Sequence, residues 1–232
     1  MRHRTDDHWL VHGDNGWRSR LPVHRWHGPA EPAVASLVTR CTGPTLDLGC
    51  GPGRLTLALT RAGLTAVGVD ISAQAVLLTR ARGAIALQRD VFAPLPAEGR
   101  WAHVLLIDGN IGIGGDPITL LGRCHDLLRP GGTVLVELEP PGPGLWRGHA
   151  QLAIKSAGGG SRLGPPFRWA RLDTMAVVGV ASAAGLTVRE VFRRDCRWFG
   201  ELAADSSGAV NPSSELSVGR TPARESVASA RV

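Results

Sequence analysis

The stretch Thr45, Leu46, Asp47, Leu48, Gly49, Cys50, Gly51, Pro52, Gly53 constrains the fold of this chain more than any other part of it. A short apolar run carrying one acidic residue leads into three glycines at alternate positions, and apolar residues with helical spacing begin after Arg54. Glycines there let the backbone bend sharply and let a ligand approach main-chain atoms with no Cβ in the way. Such a turn belongs at the carboxyl end of the first strand of an open α/β sheet, where ligands sit beside the reversal of strand order. A dinucleotide fingerprint, GxGxxG, would need its third glycine where this chain has Arg54, which disfavours a nicotinamide oxidoreductase.

Downstream, short apolar runs alternate with longer amphipathic ones, the pattern of parallel strands joined by crossover helices. Thr45 to Leu48, Thr65 to Val69, Ala84 to Leu87, Val104 to Ile107 and Thr133 to Leu138 read as strands. Arg54 to Arg61, Ala73 to Arg80 and Pro117 to Leu128 read as helices between them, the last stopped by Pro130, Gly131 and Gly132. Leu172 to Ala184 reads as a further helix, and Leu186 to Phe192 with Arg197 to Leu202 as a terminal strand pair. The expected fold class is therefore α/β, a doubly wound, mostly parallel seven-stranded sheet with helices on both faces.

Three segments frame that core. Residues 1–40 are expected to form an N-terminal helical or lid segment, 41–202 the main domain, and 203–232 a disordered tail. The tail is rich in Ser, Ala, Pro and Gly without a periodic apolar face, so it cannot repay its ordering entropy. Within the domain, the Gly/Pro-rich stretch 140–171 reads as a hairpin insertion or lid, with Trp146, Phe167 and Trp169 as its large side chains.

The net charge of +6 permits an acidic partner, but Lys155 is the only lysine and the arginines are dispersed, with no run that would track a phosphate backbone. Nucleic acid is therefore an unfavoured partner. Cys41, Cys50, Cys124 and Cys196 lack metal or redox spacing and are expected to be free thiols in a reducing, cytoplasmic compartment. No apolar run reaches the roughly 18 residues of a membrane span. Nothing in the sequence bears on oligomeric state.

Acidic residues recur at the ends of successive strands. Val67, Gly68, Val69, Asp70 close the second, Asp90 and Val91 follow the third, and Asp108, Gly109, Asn110 follow the fourth. With the glycine loop and the turn Leu127, Leu128, Arg129, Pro130, Gly131, Gly132, this order resembles the class I S-adenosylmethionine-dependent methyltransferases from about Pro44 to Leu202. A departure is Ala102, where relatives commonly carry an acidic residue.

The resemblance implies a Rossmann-like methyltransferase fold, S-adenosylmethionine as cofactor and a bacterial enzyme acting on a small-molecule acceptor. It implies cofactor contacts from Asp47, Gly49, Cys50, Gly51, Gly53 and Ile71. Asp70 would bind the ribose hydroxyls, since a carboxylate accepts two O–H donors at once. Asp90 would accept from the adenine amino group while Val91 packs on the ring. Asp108 and Asn110 would face the methyl group and acceptor, with Asp108 as the candidate proton acceptor. An RNA or protein methyltransferase is the alternative, though the strand-four loop reads neither NPPY nor DPPY. A scaffold that binds the cofactor without catalysis is a further one.

His3, His8, His12, His24 and His27 with Trp9, Trp17 and Trp26 crowd the N-terminal segment, where they could close over a cofactor; no cysteine or dense carboxylate set joins them, so no metal site is expected. His103 and His125 read as structural, and Arg147 and Trp169 as lid residues near the acceptor.

Overall fold

A computed structural model of the 232-residue chain describes residues 8–13, 16–155 and 161–204. In chain order the elements are β1 (His8–His12), β2 (Arg18–Arg20), α1 (Val23–His27), α2 (Pro32–Val38), β3 (Thr45–Leu48), α3 (Arg54–Arg61), β4 (Ala66–Asp70), α4 (Ala73–Ala81) and β5 (Ile85–Gln88). They continue with β6 (Trp101–Leu106), a 3-10 turn (Asn110–Gly115), α5 (Pro117–Leu127), β7 (Leu128–Leu138), β8 (Leu145–Lys155), β9 (Ser161–Leu163), β10 (Phe167–Leu172), α6 (Val177–Ala183), β11 (Leu186–Arg194) and β12 (Arg197–Ala204).

The seven-stranded sheet runs β11-β12-β7-β6-β3-β4-β5. Among these strands β12 alone runs opposite to the other six. Every residue of β3 and β6 is buried, as expected of central parallel strands covered on both faces. Alternate side chains separate two cores: Leu46, Leu48, Val104, Leu106 and Val136 pack with Leu120 and Leu121 of α5 and Val177 of α6. Leu105, Ile107, Leu135 and Phe199 pack with Val34 and Leu37 of α2 and Leu55 and Leu59 of α3. Helices thus cover both faces, and strand order reverses between β3 and β6, which opens a crevice at their carboxyl ends.

A second, antiparallel sheet runs β10-β8-β1-β2, with β9 also paired to β8. The stretch read as a hairpin insertion supplies β8, β9 and β10, and the N-terminal segment supplies the rest through His8↔Ile154 to His12↔Ala150. Residues 1–40, expected to be helical, therefore contribute two strands besides two short helices. The physical reason is that an isolated hairpin is marginal in water, and the added strands complete a sheet. This sheet leans on the 3-10 turn, where a Cβ on Gly112 would lie 2.5 Å from Trp169 Cε2.

Other boundaries shift locally. β7 starts at Leu128 and takes in the proline–glycine turn expected to precede it. The helix expected from Leu172 starts at Val177, because Leu172 ends β10 and Asp173 caps the turn by accepting from Met175 N at 2.9 Å and Ala176 N at 3.1 Å. Of the tail expected from 203, Ala203 and Ala204 belong to β12, and 205–232 lie outside the described residues. No helix among the described residues is long and apolar enough to cross a membrane.

Candidate functional site

The glycine loop leaves β3 with Gly49, Gly51 and Gly53 all at positive φ, of 72°, 53° and 80°. Three side chains hold it. Asn110 Nδ2 donates to the carbonyls of Leu48 and Gly49 at 2.9 Å each, and the Thr79 hydroxyl donates to the Gly51 carbonyl at 2.9 Å. Asp70 Oδ2 accepts from Gly51 N at 2.8 Å while Oδ1 accepts from Ser72 N at 2.8 Å. A Cβ on Gly51 would stand in open space, whereas one on Gly49 would strike Asn110. Gly51 therefore forms the open lip of the loop and Gly49 its packed floor.

A cavity of about 740 Å³ opens over this loop. Asp47, Gly49, Cys50, Gly51, Asp70, Ile71, Asp90, Val91, Asp108 and Asn110 all line it, so of the residues expected to contact the cofactor only Gly53 stands apart. Gly53 instead caps α3 and abuts Thr79. Ile71 is 72% exposed on the cavity wall and Phe92 39%, while Val91 is buried beneath them. Asp90 Oδ1 accepts from Phe92 N at 3.0 Å, which orients the carboxylate at the mouth. Leu10, Leu21 and Trp26 from the N-terminal segment and Leu152, Phe167 and Trp169 from the insertion complete the wall.

One buried acid and one buried thiol of the loop are set by their surroundings. Burial pushes the Asp47 carboxyl up to about 6, opposed by the Thr56 hydroxyl that donates to it at 2.6 Å. Burial also pushes the Cys50 thiol far up, so the loop cysteine is a packing residue and no nucleophile.

A charged cluster at the cavity wall is not foreseen from the sequence pattern. Arg54 is 5% exposed and donates through Nη2 to both oxygens of Asp108, at 2.6 and 2.8 Å. Arg197 reaches the same carboxylate at 2.8 Å and also binds Glu137 at 2.7 Å and Glu31 at 2.5 Å. Glu31 stands at the N-cap of α2 but makes no cap bond, because its side chain is drawn to Arg197 and, at 3.4 Å, to Arg54. One signal could expose the cluster: an arginine in the first turn of α3 opposes the helix macrodipole and so needs another partner.

The remaining candidates lie elsewhere or serve structure. Among the described residues no group of three or more His, Cys, Asp or Glu could hold a metal. His3 lies outside the described residues. His24 and His27 fall on α1, and half-buried His125 lies 3.7 Å from Asp126. His103 is buried between Thr42 N at 3.0 Å and the Thr133 hydroxyl at 2.8 Å, and burial lowers its pKa. Arg147 pairs with Asp116 at 2.7 Å instead of entering the cavity.

Residues 45–132 match a family described as a methyltransferase domain. A trans-aconitate 2-methyltransferase of Paracidovorax citrulli (strain AAC00-1) is 30% identical over 114 residues, 47% of this chain and 44% of that protein. The match thus spans under half of that relative's length. Among solved structures, an S-adenosylmethionine-dependent methyltransferase from Bacteroides fragilis in complex with S-adenosyl-L-homocysteine aligns with a TM-score of 0.68 at 20% identity, covering 86% of this chain and 88% of that one. The CcbJ methyltransferase from Streptomyces caelestis aligns at 0.61 and 20% identity, covering 78% and 92%. The Burkholderia thailandensis 1,6-didemethyltoxoflavin-N1-methyltransferase aligns at 0.54 and 20% identity, covering 75% and 77%. At these identities the structural likeness concerns the fold.

Proposed function

We propose that this chain is a class I S-adenosylmethionine-dependent methyltransferase, which binds S-adenosylmethionine in the glycine-loop cavity and transfers its methyl group to a small-molecule acceptor. The observation that carries this reading is the convergence of Gly51, Asp70, Asp90 and Val91 from three successive strand ends on one cavity. The residues fit the cofactor. Each Asp70 oxygen accepts one backbone N–H and keeps capacity for a ribose hydroxyl. Ile71, Val91 and Phe92 offer apolar surface for a purine ring, with Asp90 at its edge to accept from an amino group. The bare lip of Gly51 admits the amino-acid portion.

The cofactor supplies an electrophilic methyl on a sulfonium, with a neutral thioether as leaving group. The chain's own part is alignment and exclusion of water. The lid sheet closes the cavity with Leu152, Phe167 and Trp169. Asp108 stands at the end of β6, oriented by Arg54 and Arg197 and by its φ of 60°. From there it accepts a hydrogen bond from the acceptor's O–H or N–H and takes that proton as the new bond to carbon forms. A small acceptor is supported by a lidded apolar cavity, and by trans-aconitate and 1,6-didemethyltoxoflavin in the names of two relatives. A cytoplasmic bacterial enzyme is supported by buried free thiols at Cys41, Cys50 and Cys124 and by the arginine-rich, lysine-poor composition.

Isothermal titration with S-adenosylmethionine, S-adenosylhomocysteine and NAD tests the reading. Saturable binding of the two adenosyl ligands is expected; binding of NAD alone overturns it.

A further inference from the structure

A second cavity of about 280 Å³ adjoins the first on the side of β7 and β12. Leu21, Trp26, Asp108 and Trp169 line both, so the two cavities meet at these four side chains. The geometry points to this second cavity as the acceptor subsite, taking a small molecule with an anionic oxygen group such as a carboxylate, received by Arg25. The inference rests on the methyl-transfer reading above and names the chemistry of its acceptor.

The charges of the wall decide the sign of the ligand. Its three carboxylates, Asp108, Glu137 and Glu139, are each engaged by guanidinium groups. Arg197 binds Asp108 at 2.8 Å and Glu137 at 2.5 Å, and Arg171 holds Glu139 in a two-pronged pair at 2.8 and 3.0 Å. Arg25 is different. Its nearest carboxylate, Glu31, is 4.0 Å away and is bound more closely by Arg197 at 2.5 Å and Arg54 at 3.4 Å. The Arg25 side chain is 51% exposed at the cavity.

A guanidinium is a donor without acceptor capacity, so the group that satisfies it is an oxyanion. An ammonium would meet a like charge. With its anionic end at Arg25, a molecule filling this cavity reaches the wall shared with the first, where Asp108 and Trp169 line both.

Cys196 supplies a readout independent of turnover. It lines the second cavity and is exposed, whereas Cys41, Cys50 and Cys124 are buried. The full chain, saturated with S-adenosylhomocysteine, is treated with iodoacetamide, and the rate of Cys196 alkylation is followed by mass spectrometry against phenylacetate, phenylacetamide or phenethylamine. Phenylacetate should protect at a concentration about tenfold below the amide, the worth of one charge-assisted contact. In Arg25→Met that preference should vanish while S-adenosylhomocysteine affinity, measured in parallel, shows the fold intact. Equal or better protection by the amide or amine, protection by none of them, or an unchanged preference in Arg25→Met would overturn the assignment while leaving the methyltransferase reading in place. Failure of S-adenosylhomocysteine to bind the wild-type chain would contradict that reading, and this one with it.

Discussion

Arg54 and Asp108 meet at 2.6 Å at the wall of the larger cavity, and the arginine side chain is only 4% exposed. The pair ties the start of α3 to the end of β6, the two elements that bracket the site. A charge buried so deeply is tolerated only while its partner is present, because removing one member strands the other away from water.

Asp108→Ala is therefore expected to destabilise the fold by about 3–5 kcal/mol, measured by urea denaturation, since it leaves both Arg54 and Arg197 short of a partner. Arg54→Met combined with Asp108→Leu should cost less than the sum of the single changes. Additive losses would show that the two residues act independently.

Asn110→Ala removes two donors, at 2.9 Å each, from the carbonyls of Leu48 and Gly49. At about 1 kcal/mol per bond, S-adenosylhomocysteine affinity should fall by roughly 30-fold as the loop loosens. Unchanged affinity would mean that the glycines hold the loop by themselves.

Gly112→Ala should push the lid sheet off the 3-10 turn, because the new methyl would lie 2.5 Å from Trp169 Cε2 and also meet the Ala170 carbonyl. A loss of about 1–3 kcal/mol is expected from such overpacking. Gly122→Ala, inside α5 with nothing near its Cβ, serves as the control and should be stabilising by up to about 1 kcal/mol. Matching thermal melts for the two variants would contradict the packing of lid on turn.

Asp47 ties stability to pH. Burial raises its folded-state value from 3.8 to about 6, so the native chain binds this proton more tightly than the unfolded one. The stability this contributes is fully present below about pH 4 and is lost as pH rises through about 6, on the order of 3 kcal/mol in all. Asp47→Asn should flatten that part of the stability profile; an unaltered slope between pH 4 and 6 would show that Asp47 is ionised throughout.

Much of the site is legible in the sequence. The glycine loop announces itself because turn geometry demands glycine at fixed positions, and Asp70, Asp90 and Asp108 announce themselves because each interrupts the end of an apolar strand. Arg54, Arg197, Glu31 and Glu137 do not, since ion pairs between residues far apart in sequence leave no periodic trace. The N-terminal strands stay hidden for a related reason. His8–His12 is short and mixed in polarity, and it becomes a strand through its pairing with β8.

The glycine loop and Asp70 together form the site proposed for an adenosyl ligand. It is tested most directly by calorimetric titration of S-adenosylhomocysteine into the wild-type chain and into Asp70→Ala. Saturable single-site binding is expected, weakened by about 100-fold in the variant, the cost of about two hydrogen bonds to a charged group. Equal affinity in the two proteins, or no binding to the wild type, would contradict it.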